Sequence, residues 1–329
     1  MTDLPKYTSE YLASTKEDID TMLENYGVAI VPNVLSETEC KHLEDGMWTM
    51  LEQLTSPFDK PIKRDDATSW KSLVKLYPMH SMLIQHWKVG HSQPVWDVRQ
   101  NPNVIQTFAN LWNVEPNQLL TSFDGISFHM APEKINRGWF RNNWLHTDQS
   151  YTRPNKECIQ GWVTARDVND GDGTLTFLKG SHKLHANVAH KFDITDKADW
   201  MKLSPEITDY YVNEMNCPQE CIKCPKGSLV LWDSRTIHCG REPTRGRSQE
   251  NTRCVVYVCM TPRQLATKAG LKKRIKAFEV GRMTTHWPHK PKLFGVYPRT
   301  YGGPLPEVNN IPIPSLTQAG RALVGYDHT

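Results

Sequence analysis

The chain has 329 residues, enough to bury one large core or two ordinary ones, and its formal charge is only +3. That balance excludes the strongly basic character of a polyanion-binding protein. Mean hydropathy is negative, no apolar run approaches the ~20 residues of a membrane span, and the first residues lack the apolar core of a signal peptide. The last residues are not a peroxisomal address, so a cytoplasmic location without a membrane partner is predicted. Eight cysteines spread over so long a chain predict free thiols rather than a disulfide framework.

In chain order, the first third reads as mainly helical. "TKEDIDTMLENYG" carries apolar residues at helical spacing and ends on Gly27, a C-terminal cap. "GVAIVPNVL" is a short strand-like run. Ser36 and Glu39 form a capping box before a helix whose Leu43, Met47, Met50 and Leu51 share one side. Asn101 and Pro102 open another helix as cap and first residue. Between them lies an aromatic excursion holding Trp70, His80, His86, Trp87, His91 and Trp96. It reads equally as aromatic packing or as a cover over a pocket, and the same holds for Trp139, Phe140 and Trp144 further on.

The middle changes character. "LLTSFDGISFHM", "WLHTDQSY", "ECIQGWVTARDV", "GTLTFLKGSH", "GSLVLWDSRTIH" and "TRCVVYVCM" are rich in β-branched and aromatic residues and punctuated by Gly, Pro, Asn and Asp. No regular helices alternate with them, which disfavours a parallel α/β sheet and predicts an antiparallel sandwich or barrel. After Met260 the chain returns to helix in "PRQLATKAGLKKRIKAFEV" and ends in a Pro-rich, irregular segment. No linker divides it. One domain is predicted, with a helical region over 1–117, a β core over 118–262 and an extension over 263–329.

A strand points residues i and i+2 to one face, so His146 and Asp148 project side by side. A non-haem Fe(II) centre needs two imidazoles and one carboxylate on one octahedral face, with the other positions open. His238, which ends an apolar strand, is placed to supply the third ligand. Arg253 opens the next strand, with Val255, Tyr257 and Cys259 on its face, and a guanidinium there suits a dicarboxylate through its bidentate fork. Arg241, Arg245 and Arg247 are rivals, but only Arg253 opens an apolar strand.

The order H-x-D, "DGTLTFLKGSH", "KGSLVLWDSRTIHCG" and a strand opening with Arg resembles the phytanoyl-CoA dioxygenase-like family of Fe(II)/2-oxoglutarate oxygenases, chiefly over residues 118–262. The resemblance implies a mainly β, α-flanked fold with a double-stranded β-helix (jelly-roll) core. It implies that His146, Asp148 and His238 bind Fe(II) and that Arg253 holds the far carboxylate of 2-oxoglutarate. It places Trp162, and more weakly Gln160, beside that co-substrate, with O₂ on the remaining metal position. It also implies hydroxylation or another oxidation such as desaturation, because Asp148 fills the place that halogenating relatives leave to a small residue. Two departures stand out. Arg253 is fifteen residues after His238 where about ten is usual, and Gly240 stands where the family often has a hydroxyl; Thr236 or a water is the substitute considered.

The expected substrate is a small molecule, with Tyr151, Trp144 and Asp124 as candidate contacts and nucleic acid disfavoured; Asp124 reads equally as part of a turn at Gly125. The rival readings are a catalytically silent jelly-roll binding module and a different metal enzyme on the same triad. Cys217, Cys221 and Cys224, with Cys239, have spacing compatible with zinc or with packed free thiols. "KAGLKKRIKAF" reads as a solvated helix face or a nucleic-acid contact.

Overall fold

The computed structural model describes residues 5–76, 83–135, 143–244, 246–247 and 249–327. His80, Trp139, Phe140 and Arg245 lie outside them. In chain order the strands are β1 (Lys6–Thr8), β2 (Val28–Val31), β3 (Leu119–Thr121), β4 (Ile126–His129), β5 (His146–Thr147), β6 (Ile159–Thr164), β7 (Thr174–Leu178), β8 (Met201–Lys202), β9 (Gln219–Ile222), β10 (Leu229–Asp233), β11 (His238–Arg241) and β12 (Arg253–Pro262). They form two six-stranded sheets. One runs β1-β9-β7-β11-β5-β8, the other β2-β10-β6-β12-β3, with β4 also paired to β12. Eight of these strands, β4–β7 and β9–β12, build the core: they alternate between the two sheets along the chain except where β7 and β9 pair as neighbours within the first sheet. This is the jelly-roll core, a double-stranded β-helix.

Period-two alternation builds its two layers of packing. Trp162, Leu175, Phe177, Ile222, Val230, Trp232 and Val255 point between the sheets and fill the barrel. Ile159, Val163, Leu229, Leu231, Cys254, Val256 and Val258 point outward, into a second cluster with the N-terminal helices. Each such fully buried side chain contributes about 1.5–3 kcal/mol. Among the described residues, the helices that cover this face are α1 (Lys16–Tyr26), α2 (Glu37–Leu54), α3 (Gln93–Arg99) and α4 (Pro102–Trp112). Ser36 and Glu39 close the expected capping box on α2, and Asn101 caps α4 with Pro102 at its start.

Gly27 ends α1 at φ +79°, and a Cβ there would meet Thr236 Oγ1 at 2.4 Å. This close approach lets the Gly27 carbonyl accept from both the Asp233 N–H and the Thr236 hydroxyl. The end of α1 thereby fixes the turn that leads into His238.

Three expectations change here. The run holding Cys221 is strand β9, paired with β7 and β1, so it is sheet and not a metal knuckle. The Pro-rich tail contains a further helix, Gln318–Val324, capped by Thr317. On the basic helix Lys268–Glu279, Arg274 is wholly buried and donates to the carbonyls of Thr121, Pro288, Leu323 and Val324. It fastens the extension to the core. The aromatic excursion packs inward: the Trp87 indole donates to Leu76 O, and His91, Trp96, Phe123 and Phe278 form one ring cluster. No described helix is long and apolar enough to cross a membrane.

Candidate metal centre

Antiparallel pairing of β5 with β11 sets His146 directly opposite His238. Asp148 follows β5, and its N–H donates to Ser234 O in the turn before β11. The Thr147 hydroxyl donates to the same carbonyl, so the two ligand-bearing segments are tied together by backbone as well as side chain. The result is the one group of three or more potential metal ligands among the described residues, with donor atoms all within 4.8 Å of one another. Cys217, Cys221, Cys224 and Cys239 form no such group, and all eight cysteines are buried free thiols. The zinc reading therefore fails on geometry.

The donor set fits a metal ion. His146 Nδ1 lies 3.2 Å from Trp144 O, and His238 Nδ1 lies 2.8 Å from Thr236 O. A carbonyl can only accept, so each Nδ1 carries the proton and each Nε2 presents its lone pair. The Nε2 atoms stand 3.6 Å and 3.3 Å from the two carboxylate oxygens of Asp148. Octahedral ligands at about 2.1 Å from a metal are about 3 Å apart, so only a small inward movement is required. Burial, then the neighbouring His238, depresses the proton affinity of His146. Asp148 is held well below the usual carboxylate range. Burial opposes this, but the neighbouring imidazoles of His286 and then His146 outweigh it. With Nδ1 held by a carbonyl, each imidazole in its neutral form turns its Nε2 lone pair toward the ionised carboxylate, the protonation a metal requires.

Gln160, opposite Cys259 on the inward face of β6, donates from Nε2 to Asp148 Oδ2 at 3.0 Å. The structure places it behind the carboxylate rather than at the far end of the barrel with Arg253. Trp144 stacks on His146 with ring centres 4.6 Å apart and planes 9° apart. Trp200, 5.8 Å from the His146 ring, is 54% exposed and forms an open rim. Trp232 lies 5.4 Å from the His238 ring.

Arg253 begins β12 and is 7% exposed. Its guanidinium lies over the Trp162 ring at 5.2 Å, and it donates to Ser127 Oγ and Gly173 O. No carboxylate pairs with it among the described residues. The rival Arg247 is paired to Asp172, and Arg241 sits beside Tyr7 and Cys221 at the far end of β11. Thr236 is committed to Gly27 O and does not replace the hydroxyl missing at Gly240.

The substrate candidates divide. Trp144 is at the centre. Asp124 is buried, caps the Gly125 N–H through Oδ1 and accepts from Gln85, with His286 nearby. Tyr151 is not brought to the centre. It is 2% exposed, its hydroxyl meets that of Tyr211, and its ring stacks on His185. The chain leaves β5 in a bend after Asp148, so strand alternation ends and Tyr151 turns into a separate apolar cluster. Gln160, Trp200, Ser127 and His286 carry no spacing signal toward the H-x-D pair; only the inward parity of Gln160 with Trp162 was readable.

The family model described as "Phytanoyl-CoA dioxygenase (PhyH)" matches residues 23–246, more than half of the chain. The match contains all three triad residues and ends before Arg253. The Ava biosynthesis cluster protein O of Aspergillus versicolor is 27% identical over 271 residues, covering 80% of this chain and 83% of that protein. Among solved structures, GlcNAc inducible gene 2 (GIG2) of Candida albicans aligns with TM-score 0.57 at 13% identity, over 80% of this chain and 67% of that one. A hypothetical protein of Escherichia coli aligns with TM-score 0.56 at 15% identity, over 95% and 82%. These two likenesses concern the fold alone. With the jelly roll, the His-Asp-His group at its mouth and the family match over residues 23–246, the chain belongs to the phytanoyl-CoA dioxygenase (PhyH) family.

Proposed function

We propose that the protein is an Fe(II)- and 2-oxoglutarate-dependent dioxygenase that oxidises a small molecule. The observation that carries this reading is the His146, Asp148, His238 group, with both Nδ1 atoms held by carbonyls, both Nε2 atoms turned to the carboxylate, and that carboxylate ionised. These three residues would hold the metal on one face and leave the other positions for ligands. Bound Fe(II) supplies activation of O₂ coupled to decarboxylation of 2-oxoglutarate, giving succinate, CO₂ and an oxidised substrate.

The chain's own part is placement and exclusion. Gln160 holds Asp148, while the carbonyls of Trp144 and Thr236 hold the imidazoles. Arg253, over the Trp162 ring and buried, supplies a cation for a far carboxylate in a place where water competes little. Trp162, Phe177, Val230 and Trp232 line the barrel interior between its two sheets and keep it dry. Trp144 and Trp200 are the side chains set to meet a substrate at the rim. The name of the Aspergillus relative, a biosynthesis cluster protein, is consistent with a small-molecule substrate. A cytoplasmic location remains part of the same proposal.

The test is release of labelled CO₂ and of succinate from 2-oxoglutarate by the purified protein with Fe(II), O₂ and ascorbate. Turnover that is lost in Asp148→Ala supports the reading. Metal binding without any 2-oxoglutarate turnover, across a substrate panel, would favour a silent binding module or a different metal enzyme.

A further inference from the structure

We propose that Ser127 is the hydroxyl partner of Arg253 in binding the far carboxylate of the co-substrate. It would fill the role that Gly240 cannot fill on β11. The inference rests on the 2-oxoglutarate reading above.

Register places the two side chains together. On the β4–β12 ladder Ser127 is opposite Val255, and Arg253 is opposite His129. Val255 faces the barrel interior, so Arg253 and Ser127 share that inward face, one diagonal step apart. The Ser127 side chain is 0% exposed, and its Oγ accepts the Arg253 Nε–H at 2.9 Å. Having accepted that bond, the hydroxyl still carries a proton to donate. Among the described residues no acceptor takes it, although a buried hydroxyl normally finds one.

Two other hydroxyls are already engaged. Thr236 already donates to Gly27 O, and the Thr164 hydroxyl, also on the inward face of β6, donates to Arg166 O. Trp162 lies 5.2 Å from the guanidinium on one side, and the Gly173 carbonyl takes one Nη1–H. The remaining guanidinium donors and the Ser127 hydroxyl form a compact donor set for a carboxylate. A neutral hydroxyl beside a cation adds a second donor to the anion without adding a second charge to bury.

The experiment uses Ni(II)-loaded full-length protein under calorimetry, with 2-oxoglutarate and with 2-oxobutyrate, which lacks the far carboxylate. A charge-assisted hydrogen bond of about 1.5–3 kcal/mol corresponds to roughly 10-fold to 100-fold in affinity. Ser127→Ala should therefore weaken 2-oxoglutarate by about that factor and leave 2-oxobutyrate unchanged, while Ser127→Thr restores most of the loss. In an Arg253→Ala background, Ser127→Ala should still weaken 2-oxoglutarate further, because the hydroxyl touches the carboxylate itself. Unchanged 2-oxoglutarate affinity in Ser127→Ala, or no added loss in the Arg253→Ala background, overturns the proposal. Wild-type protein that binds Ni(II) but not 2-oxoglutarate would instead overturn the functional reading beneath it.

Discussion

Replacing Gln160 with leucine removes the side-chain amide that holds Asp148 while keeping a similar volume on the inward face of β6. In the structure that amide donates to Asp148 Oδ2 at 3.0 Å, and the same oxygen lies 3.3 Å from His238 Nε2. Asp148 is only 13% exposed, so little water stands ready to replace the lost donor. A hydrogen bond to a charged acceptor is worth about 1.5–3 kcal/mol, and residues that orient metal ligands typically contribute 10-fold to 100-fold in metal affinity. Gln160→Leu should therefore weaken Ni(II) or Co(II) binding by about 10-fold to 100-fold with little change in Tm. The assay is metal titration followed by quenching of tryptophan fluorescence, since the Trp144 indole stacks on His146. A folded Gln160→Leu protein with wild-type metal affinity would refute the argument that this contact sets the carboxylate.

Three further outcomes follow from burial and hydrogen bonding. Tyr151→Phe should leave metal and 2-oxoglutarate binding unchanged but lower stability by about 1–3 kcal/mol in urea unfolding, because the buried Tyr211 hydroxyl loses its partner. Arg274→Met should leave four carbonyls buried without a donor and lower Tm steeply or prevent soluble expression, whereas an exposed neighbour such as Lys273→Met should be near neutral. Burial against Tyr151 pushes His185 down to about 4 from an ordinary value near 6.5. Below pH 6.5 the unfolded chain takes up a proton that the folded chain refuses, so stability falls as pH drops from about 6.5 to about 4, by up to about 3 kcal/mol. His185→Gln should show a shallower decline across that window in urea midpoints measured at fixed salt.

The parts of the site that were legible in the sequence are those with a periodic or positional signature. His146 and Asp148 are two apart, and Arg253 begins a strand as expected; His238, expected to end the apolar strand, instead opens β11 after a turn that follows Asp233, and Asp148 lies just beyond β5, yet the three ligands still converge. The caps at Ser36, Asn101 and Gly27 were legible for the same reason, since one residue type and one offset specify them. What stayed hidden depends on which strands become neighbours. Gln160 acts on Asp148 through side-chain reach between the two sheets, and Trp200 reaches His146 because the short strand β8 pairs with β5. Ser127 is an ordinary serine until β4 is known to lie beside β12. Tyr151 was named for its nearness in sequence to Asp148, but the chain bends after a two-residue strand and carries it into a separate apolar cluster. The cysteines around β9 looked like a knuckle because their spacing drew attention away from a short strand pattern.

The central claim is that His146, Asp148 and His238 hold a metal to which a 2-oxo acid chelates. Its most direct test is an anaerobic titration of Fe(II) and 2-oxoglutarate into the protein, watched for the visible metal-to-ligand charge-transfer absorption. The account predicts a saturable band at one equivalent of iron, lost in His146→Ala and in His238→Ala, and shifted to much higher 2-oxoglutarate concentration in Arg253→Ala. Absence of the band in the wild type, or an undiminished band in His146→Ala, would contradict it.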